Sequence, residues 1–469
     1  MTPGNIRQNH LYVRGLYDFL PPDCVGPSRK SDGSTSREIE IYLDGLNEVV
    51  RTDIGSVAAT GKPRAFFRGR RWVRRFFEHH KIAAGDRLAL ERVSARTYRL
   101  TLANSRRRPA QPRAVELFAG IGLVRLALER QGWEVVFAND IDSAKAEMYR
   151  HNWPRDSHLV VGDIHDLRAD EVPDCELLTA SFPCNDLSIA GKWEGLNGKE
   201  SSAFWGMIRI LREMGERRPP QVLIENVLGF LSSNGGRDFE TAMRALNELG
   251  YSVDPVILNA THWVPQSRAR LFVVARRGEA GGVPSLALES SARPAALLRY
   301  INAHPGIRWS FRELPPLPAR SHSLEEIIQI LPDNDAHWWN ERRVDYFMNQ
   351  LSDRHRAEAD RMIRSRTISY ATAFRRVRKE RSMAELRTDG IAGCLRTPRG
   401  GSGRQILFKA GRGRRQVRLL TARECARLQG VPDTFIIRVP LNQALFGFGD
   451  AVCVPAVEWI AKHCLAYVK

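Results

Sequence analysis

The sequence predicts an α/β protein: a doubly wound, mostly parallel sheet, a smaller second domain and a β-rich N-terminal domain. Three observations predict it. From Ala114 onward, apolar runs of strand length alternate with amphipathic runs of helical period, joined by glycine turns. Before that point the runs are short and strand-like, and ANSRRRPAQPR, residues 103–113, reads as an exposed linker between the two rhythms. At 469 residues with 43% hydrophobic, the chain can build cores for two or three domains.

Residues 1–102 hold the β-type runs HLYVRGLY, REIEIYLDGL, RLALERV and TYRLTL, around a basic amphipathic stretch FFRGRRWVRRFFEHH. Residues 114–279 form the α/β core. VELFAG leads to LVRLALERQG, EVVFAND to SAKAEMYRHN, CELLTASF to FWGMIRILREM, and QVLIENV to FETAMRALNELG. LFVVARR, residues 271–277, closes that run. Over 280–417 the periodicity weakens and Gly, Pro, Ser and Arg rise, with a helix-like patch at VDYFMNQLSDRHRAEADRMI. Residues 418–469 return to the core through LTARECARLQG and VPAVEWIAKHCLAYV. No internal repeat is found.

Charge narrows the partners. There are 71 Lys and Arg against 53 Asp and Glu, giving +18, and only ten of the cations are Lys. Guanidinium forks suit phosphates and guanine edges, so a polyanion is the first expectation, against the plainer reading of an Arg-rich proteome. No apolar run reaches the roughly 18 residues of a membrane span. The start MTPGNIRQNHLYVRGLYDF has no export-signal pattern, so a cytoplasmic protein without membrane contact is expected. Seven cysteines without a CxxC pair fit neither a disulfide framework nor a zinc site, so reduced thiols and no metal are expected.

The first core strand ends in Phe118-Ala119-Gly120-Ile121-Gly122, where the backbone can approach a ligand at a helix N-terminus. A tight turn with no ligand would read the same. Asp140 ends the second strand, where a carboxylate suits ribose hydroxyls, and Asp163 ends the third. Gly, Asp and Asp at three strand ends make a crevice for an adenosine-like ligand. A dinucleotide would need the third glycine of GxGxxG, which Leu123-Val124-Arg125 does not offer. S-adenosylmethionine has no pyrophosphate, and the pattern favours it.

The fourth strand runs into Ser181-Phe182-Pro183-Cys184-Asn185-Asp186-Leu187-Ser188. Cysteine is most often a small buried hydrophobe. Here it sits at the carboxyl end of a parallel strand, where ligands bind, ahead of a stretch with Gly191, Gly195 and Gly198 that could move as a lid. The next strand end carries Glu225-Asn226, and in Gln266-Ser267-Arg268-Ala269-Arg270 alternate arginines share a strand face. The ordered set FAGIG, NDID, GDI, FPCNDLS, ENV, QSRAR, LTARECARLQGVPD and FGDAV, across residues 114–469, resembles the DNA (cytosine-5)-methyltransferases of bacterial restriction–modification systems. One such motif would mean little; eight in order are specific. Residues 1–102 and the interior of 280–390 lie outside the resemblance.

The resemblance implies a chemistry that explains these residue types. Carbon 5 of cytosine is a poor nucleophile until a thiolate adds at carbon 6, and Cys184 is the implied nucleophile. Glu225 is the implied acid at ring nitrogen 3, a role that needs a raised pKa. Asn226 would brace the Pro-Cys loop, Arg270 would face the base carbonyl, and Arg268 would help hold the thiolate, the loop or a phosphate. The family offers no obvious side chain as base for the closing removal of the carbon 5 proton. Its S-adenosyl-L-methionine positions fall on Phe118, Gly120, Gly122, Asp140, Ile141, Asp163, Ile164, Pro183 and Asp450. Asp140 stands where many relatives have Glu, shortening the reach, and the usual Gln after the cysteine is absent. Asp450 replaces the usual Asn; an acceptor-only carboxylate there should repel the ligand's carboxylate unless a cation or water intervenes.

The target carbon lies inside the base stack, so flipping of the base is implied, and sequence readout falls to the variable target-recognition region, with AGCLRTPRGGSGRQI suited to base edges and phosphates. A flexible basic loop is the alternative. The N-terminal Phe66-Phe67-Arg68-Gly69, Arg71-Trp72-Val73, Phe76-Phe77 and Ala84-Gly85-Asp86-Arg87-Leu88 weakly resemble a plant-type pseudobarrel DNA-binding domain; alternatively the aromatics are core and the arginines its solvated face. Residues 1–113 carry 22 Lys and Arg against 11 acids and residues 276–420 carry 28 against 15, whereas the remaining motif-bearing core carries 21 against 27. The basic charge therefore belongs to the two parts assigned to DNA. A monomeric, site-specific DNA cytosine-5 methyltransferase, acting on double-stranded DNA and paired with a cognate restriction endonuclease, is expected. A tRNA cytosine-5 methyltransferase and an inactive DNA-binding regulator are the alternatives.

Overall fold

The computed structural model separates into two compact units, Met1–Ala110 and Gln111–Lys469. It describes residues 1–469 except 14, 29–35, 47, 85, 103–110, 155–157, 184–201, 279–288, 379–380, 398–402 and 466–469, and the side chains of 3 and 378.

The first unit runs α1 (Pro3–Gln8), β1 (Val25–Gly26), β2 (Ile39–Leu43), β3 (Glu48–Thr52), β4 (Ile54–Ser56), β5 (Pro63–Phe67), α2 (Arg70–His79), β6 (Leu88–Arg92) and β7 (Thr97–Leu102). Its sheets have orders β3-β2-β7-β6 and β1-β4-β5. Alternation in β2 drives Ile39, Ile41 and Leu43 into the core beside Tyr98 and Leu100 of β7. In α2 the aromatic run is core: Trp72, Val73, Phe76 and Phe77 point inward, while Arg74 and Arg75 pair with Glu78 and Glu48. The described residues of HLYVRGLY form no strand. Tyr12 makes a single bridge to Phe66, Gly15 turns the chain at φ +84°, and Tyr17–Phe19 close a 3-10 turn.

The second unit opens with β8 (Arg113–Leu117), α3 (Leu123–Arg130), β9 (Glu134–Asp140), α4 (Ser143–Asn152), β10 (Leu159–Val161), β11 (Leu177–Ala180), α5 (Ala203–Glu213) and β12 (Gln221–Val227). It continues through α6 (Gly229–Ser232), α7 (Arg237–Glu248), β13 (Tyr251–Asn259) and β14 (Ala269–Arg277). The seven strands have the order β10-β9-β8-β11-β12-β14-β13. The first five in that order run parallel, and β14 is antiparallel to both its neighbours. Both faces are buried, which is why these strands read as unbroken apolar runs. Leu177 and Leu223 join the core shared with α3 and the C-terminal helices; Leu178, Val222 and Ile224 join the one shared with α5 and α7.

The sequence reading missed β13 because YSVDPVILN breaks the strand pattern. Pro255 is tolerated because β13 is the sheet's edge, and the buried Asp254 is matched by Arg293 at 2.7 Å. The link from Asn259 to Ala269 is too short for the crossover a parallel return needs, so LFVVARR runs backwards.

Beyond β14 come α8 (Ala295–Ala303), α9 (Leu324–Ile327), α10 (Glu341–Asn349) and α11 (Asp353–Arg364). A second sheet follows: β15 (Ser369–Arg378), β16 (Arg381–Arg387), β17 (Ile406–Gly411) and β18 (Arg414–Leu419), in the order β16-β15-β17-β18. The chain then returns through α12 (Ala422–Leu428), α13 (Leu441–Asp450) and α14 (Val454–His463). Leu441–His463 does have the length and composition of a membrane span, contrary to expectation. Yet it is broken at Ala451–Cys453 into α13 and α14, and α14 lies in the core with α3.

On β8, Glu116 is buried, and burial pushes its carboxyl up to about 8 against the opposing charge and main-chain N–H of Arg125. The folded chain therefore holds a proton there that the unfolded chain releases near 4.5, so stability falls as pH rises through this window and levels off above about 8. Glu116→Gln is expected to flatten that slope, as thermal melts from about pH 5 to 9 would show.

Candidate active site

The order β10-β9-β8-β11-β12 brings five strand ends to one edge, and the chain reverses direction of winding between β8 and β11. A crevice opens at such a switch point. On one side stand Asp163 beyond β10, Asp140 at the end of β9 and the Phe118–Gly122 turn after β8. On the other stand Phe182-Pro183 beyond β11 and Glu225-Asn226 near the end of β12.

The turn after β8 is held by the next strand. Gly120 and Asp142 donate their N–H groups to the two oxygens of Asp140 at 2.6 and 2.8 Å, which leaves further lone pairs on that carboxylate for hydroxyls. Gly120, at φ +54°, has open space where a Cβ would stand. Gly122 is different: a Cβ there would lie 2.4 Å from Trp153, so packing requires the glycine. Phe118 also adopts a positive φ, 59°, and leans on the core shared with α5. Ile141 is 66% exposed, an apolar surface beside Asp140 that suits the face of a purine. Asp163 accepts the N–H of His165, Pro183 is exposed, and Ile164 is buried against Gly206 of α5. An exposed apolar side chain, an open glycine and carboxylates at the strand ends fit an adenosyl ligand. Among the described residues no group of three His, Cys, Asp or Glu could hold a metal.

Across the crevice, β12 and β14 pair with Val227 opposite Arg270, which makes Glu225 and Arg270 diagonal neighbours on one face. Arg270 Nε lies 3.1 Å from Glu225 Oε1. Burial raises the Glu225 carboxyl above the usual range, with Arg270 and then Arg268 opposing it. Asn226 donates from Nδ2 to the Phe182 carbonyl at 3.2 Å, two residues before Cys184. Cys184 and Gly191, Gly195 and Gly198 lie outside the described residues.

Arg268 is anchored to the main chain, with its charge still felt at Glu225. Its guanidinium donates to the carbonyls of Leu395, Gly449 and Ala451 at 2.8, 3.2 and 2.6 Å, and to Cys394 Sγ at 3.4 Å. The sequence reading passed over Gln266, which is equally buried and bonds the Leu428 carbonyl and the Leu395 N–H. Its place in the QSRAR alternation was the available signal. Cys394 was missed too. Its thiol is raised by burial, but Arg268 and Arg270 outweigh that and leave it below the usual value. Asp450, the last residue of α13, lies 2.6 Å from Lys145 of α4, a cation no motif pointed to.

A family model described as C-5 cytosine-specific DNA methylase matches residues 113–466. The chain belongs to this family. The methylase is 29% identical over 356 residues to type II methyltransferase M.HhaI of Haemophilus parahaemolyticus, covering 75% of this chain and 93% of that one. It is 28% identical to M.HaeII of Haemophilus aegyptius, covering 74% and 91%. Among solved structures the methylase shares its fold with Dnmt2 of S. pombe, at TM-score 0.50 and 20% identity, covering 74% of this chain and 96% of that one. A methyltransferase of Entamoeba histolytica gives 0.51 at 15%, covering 75% and 97%.

Proposed function

We propose that this methylase modifies carbon 5 of a cytosine at a specific site in duplex DNA, with the base flipped out of the stack, and that it protects DNA from a cognate restriction endonuclease. The observation that carries the reading is Glu225, a buried carboxyl biased toward its protonated form and held by Arg270 one strand from the Pro-Cys loop. Cys184 would add its thiolate to carbon 6 of the flipped base while Glu225 delivers a proton to ring nitrogen 3. The resulting enamine is nucleophilic at carbon 5. Arg270 would orient the base through its carbonyl oxygen, and Asn226 would hold the loop through Phe182. Gly120, Asp140, Ile141 and Asp163 would hold S-adenosylmethionine, with Phe118, Gly122, Ile164 and Pro183 shaping the turns around it; bound there, it supplies an electrophilic methyl group. Loss of the carbon 5 proton then expels the Cys184 sulfur.

The basic residues 280–417 would read the sequence, and the N-terminal unit would add DNA contacts through its positive charge. Labelled methyl transfer to duplex DNA, with none to tRNA, is the expected outcome, and bisulfite mapping of the product should place every modified cytosine in one short motif. Transfer to tRNA alone, or to neither, would overturn the proposal.

A further inference from the structure

Asp450 poses a problem for a cofactor crevice, since a bare carboxylate beside the amino-acid end of S-adenosylmethionine would repel its carboxylate. The fold supplies a partner. Lys145 reaches from the first turn of α4, and its Nζ sits 2.6 Å from Asp450 Oδ2 and 3.9 Å from Asp142 Oδ2. The meeting is set by how α13 docks on α4. Gln443 donates to the Ala144 carbonyl and to Glu147 Oε2, and a Cβ on Gly447 would lie 2.7 Å from Ile121. Gly447, three residues before Asp450, thus lies against Ile121 of the Phe118–Gly122 turn, whose Gly120 is bonded to Asp140.

Exposure is divided unequally within the pair. The Lys145 side chain is 17% exposed and that of Asp450 is 47%, so the ammonium is fixed among carboxylates while the carboxylate remains open to a ligand. A simple surface tie between two helices would do little at such a site. The ligand expected here is a zwitterion, with an ammonium and a carboxylate on one carbon. An asparagine amide can donate to one and accept from the other. Asp alone cannot donate, but Asp and Lys together can do both, with charge assistance.

We propose that Lys145 and Asp450 form a paired clamp for the methionine end of the cofactor, Lys145 taking the ligand's carboxylate and Asp450 its ammonium. This rests on the reading of the crevice as the S-adenosylmethionine site. Lys145 is thus a cofactor-binding residue, and it is the cation that makes Asp450 workable in place of Asn.

Calorimetric binding to the full chain tests it, with S-adenosylmethionine, its decarboxylated analogue and 5′-methylthioadenosine, which lacks the amino-acid end. The unaltered protein should prefer S-adenosylmethionine to the decarboxylated analogue by about tenfold. Lys145→Ala should weaken S-adenosylmethionine by about tenfold and leave methylthioadenosine within about twofold. Lys145→Arg should retain most of the affinity, and Asp450→Asn added to Lys145→Ala should restore most of it. Equal loss for both ligands, no loss, or no rescue by Asn would overturn the clamp, as would no preference for the carboxylate-bearing ligand even if the variants fail to fold. If the unaltered protein binds neither S-adenosylmethionine nor methylthioadenosine, the crevice reading itself fails.

Discussion

Cys184→Ala is expected to abolish methyl transfer to cytosine and to leave S-adenosylmethionine affinity within about twofold, since the proposed nucleophile attacks the base and is not among the residues assigned to the cofactor. Without the sulfur, carbon 5 stays part of an aromatic ring and no enamine forms. Positioning alone cannot replace a missing covalent step. Glu225→Gln provides the companion measurement: it keeps the shape beside Arg270 but cannot deliver the proton, and it should lower kcat by about 10²–10⁴-fold. In the proposed mechanism Glu225 acts when protonated, so the unaltered enzyme should lose activity as pH rises through its raised pKa, and the Gln variant should lose that dependence. Single-turnover transfer and calorimetric binding separate the two quantities. Substantial transfer by Cys184→Ala would refute the covalent mechanism.

Arg418→Leu should cost about 3–5 kcal/mol of stability, the range for breaking a buried ion pair from one side. Arg418 at the end of β18 and Glu424 in α12 are both wholly inaccessible and form two parallel hydrogen bonds of 2.6 and 2.5 Å. Glu424 also accepts the N–H of Thr421, closing the N-terminal cap of α12, and the N–H of Gln329. Removal of the guanidinium leaves a charged carboxylate with no way to reach water. Urea denaturation would read the loss, and Arg418→Leu with Glu424→Met should lose less than the single change, since no lone charge then remains buried. A single-variant loss under about 1 kcal/mol would show that the pair is replaceable by water entry.

How much of this was legible in the sequence follows from where each side chain finds its partner. The strands β8, β9, β11 and β12 were readable because burial on two faces writes itself as apolar runs, and the glycine and carboxylate ends follow at short spacing. Glu225 and Arg270 stood out as charges inside or beside apolar strands. β13 did not, because Asp254 and Pro255 are admitted by a buried arginine and by an edge position that only the assembled sheet defines. Arg268 reaches main-chain carbonyls more than a hundred residues away, which carry no side-chain signature. Lys145 looked like an ordinary helix-surface lysine, since its partner Asp450 is 305 positions distant.

The bonds from Arg268 to Leu395, Gly449 and Ala451 have a consequence for biosynthesis. The strand bearing Arg270 is translated long before these supports, and the segment carrying α8 to α11 and the second sheet must emerge in between. A chain that has passed β14 but not Ala451 lacks at least one of the carbonyls that hold the Arg268 guanidinium, and its α3 lacks α14. A chain cut before Ala451 is therefore expected to keep Glu225 and Arg270 but to lose a main-chain acceptor that holds Arg268, two residues from Arg270.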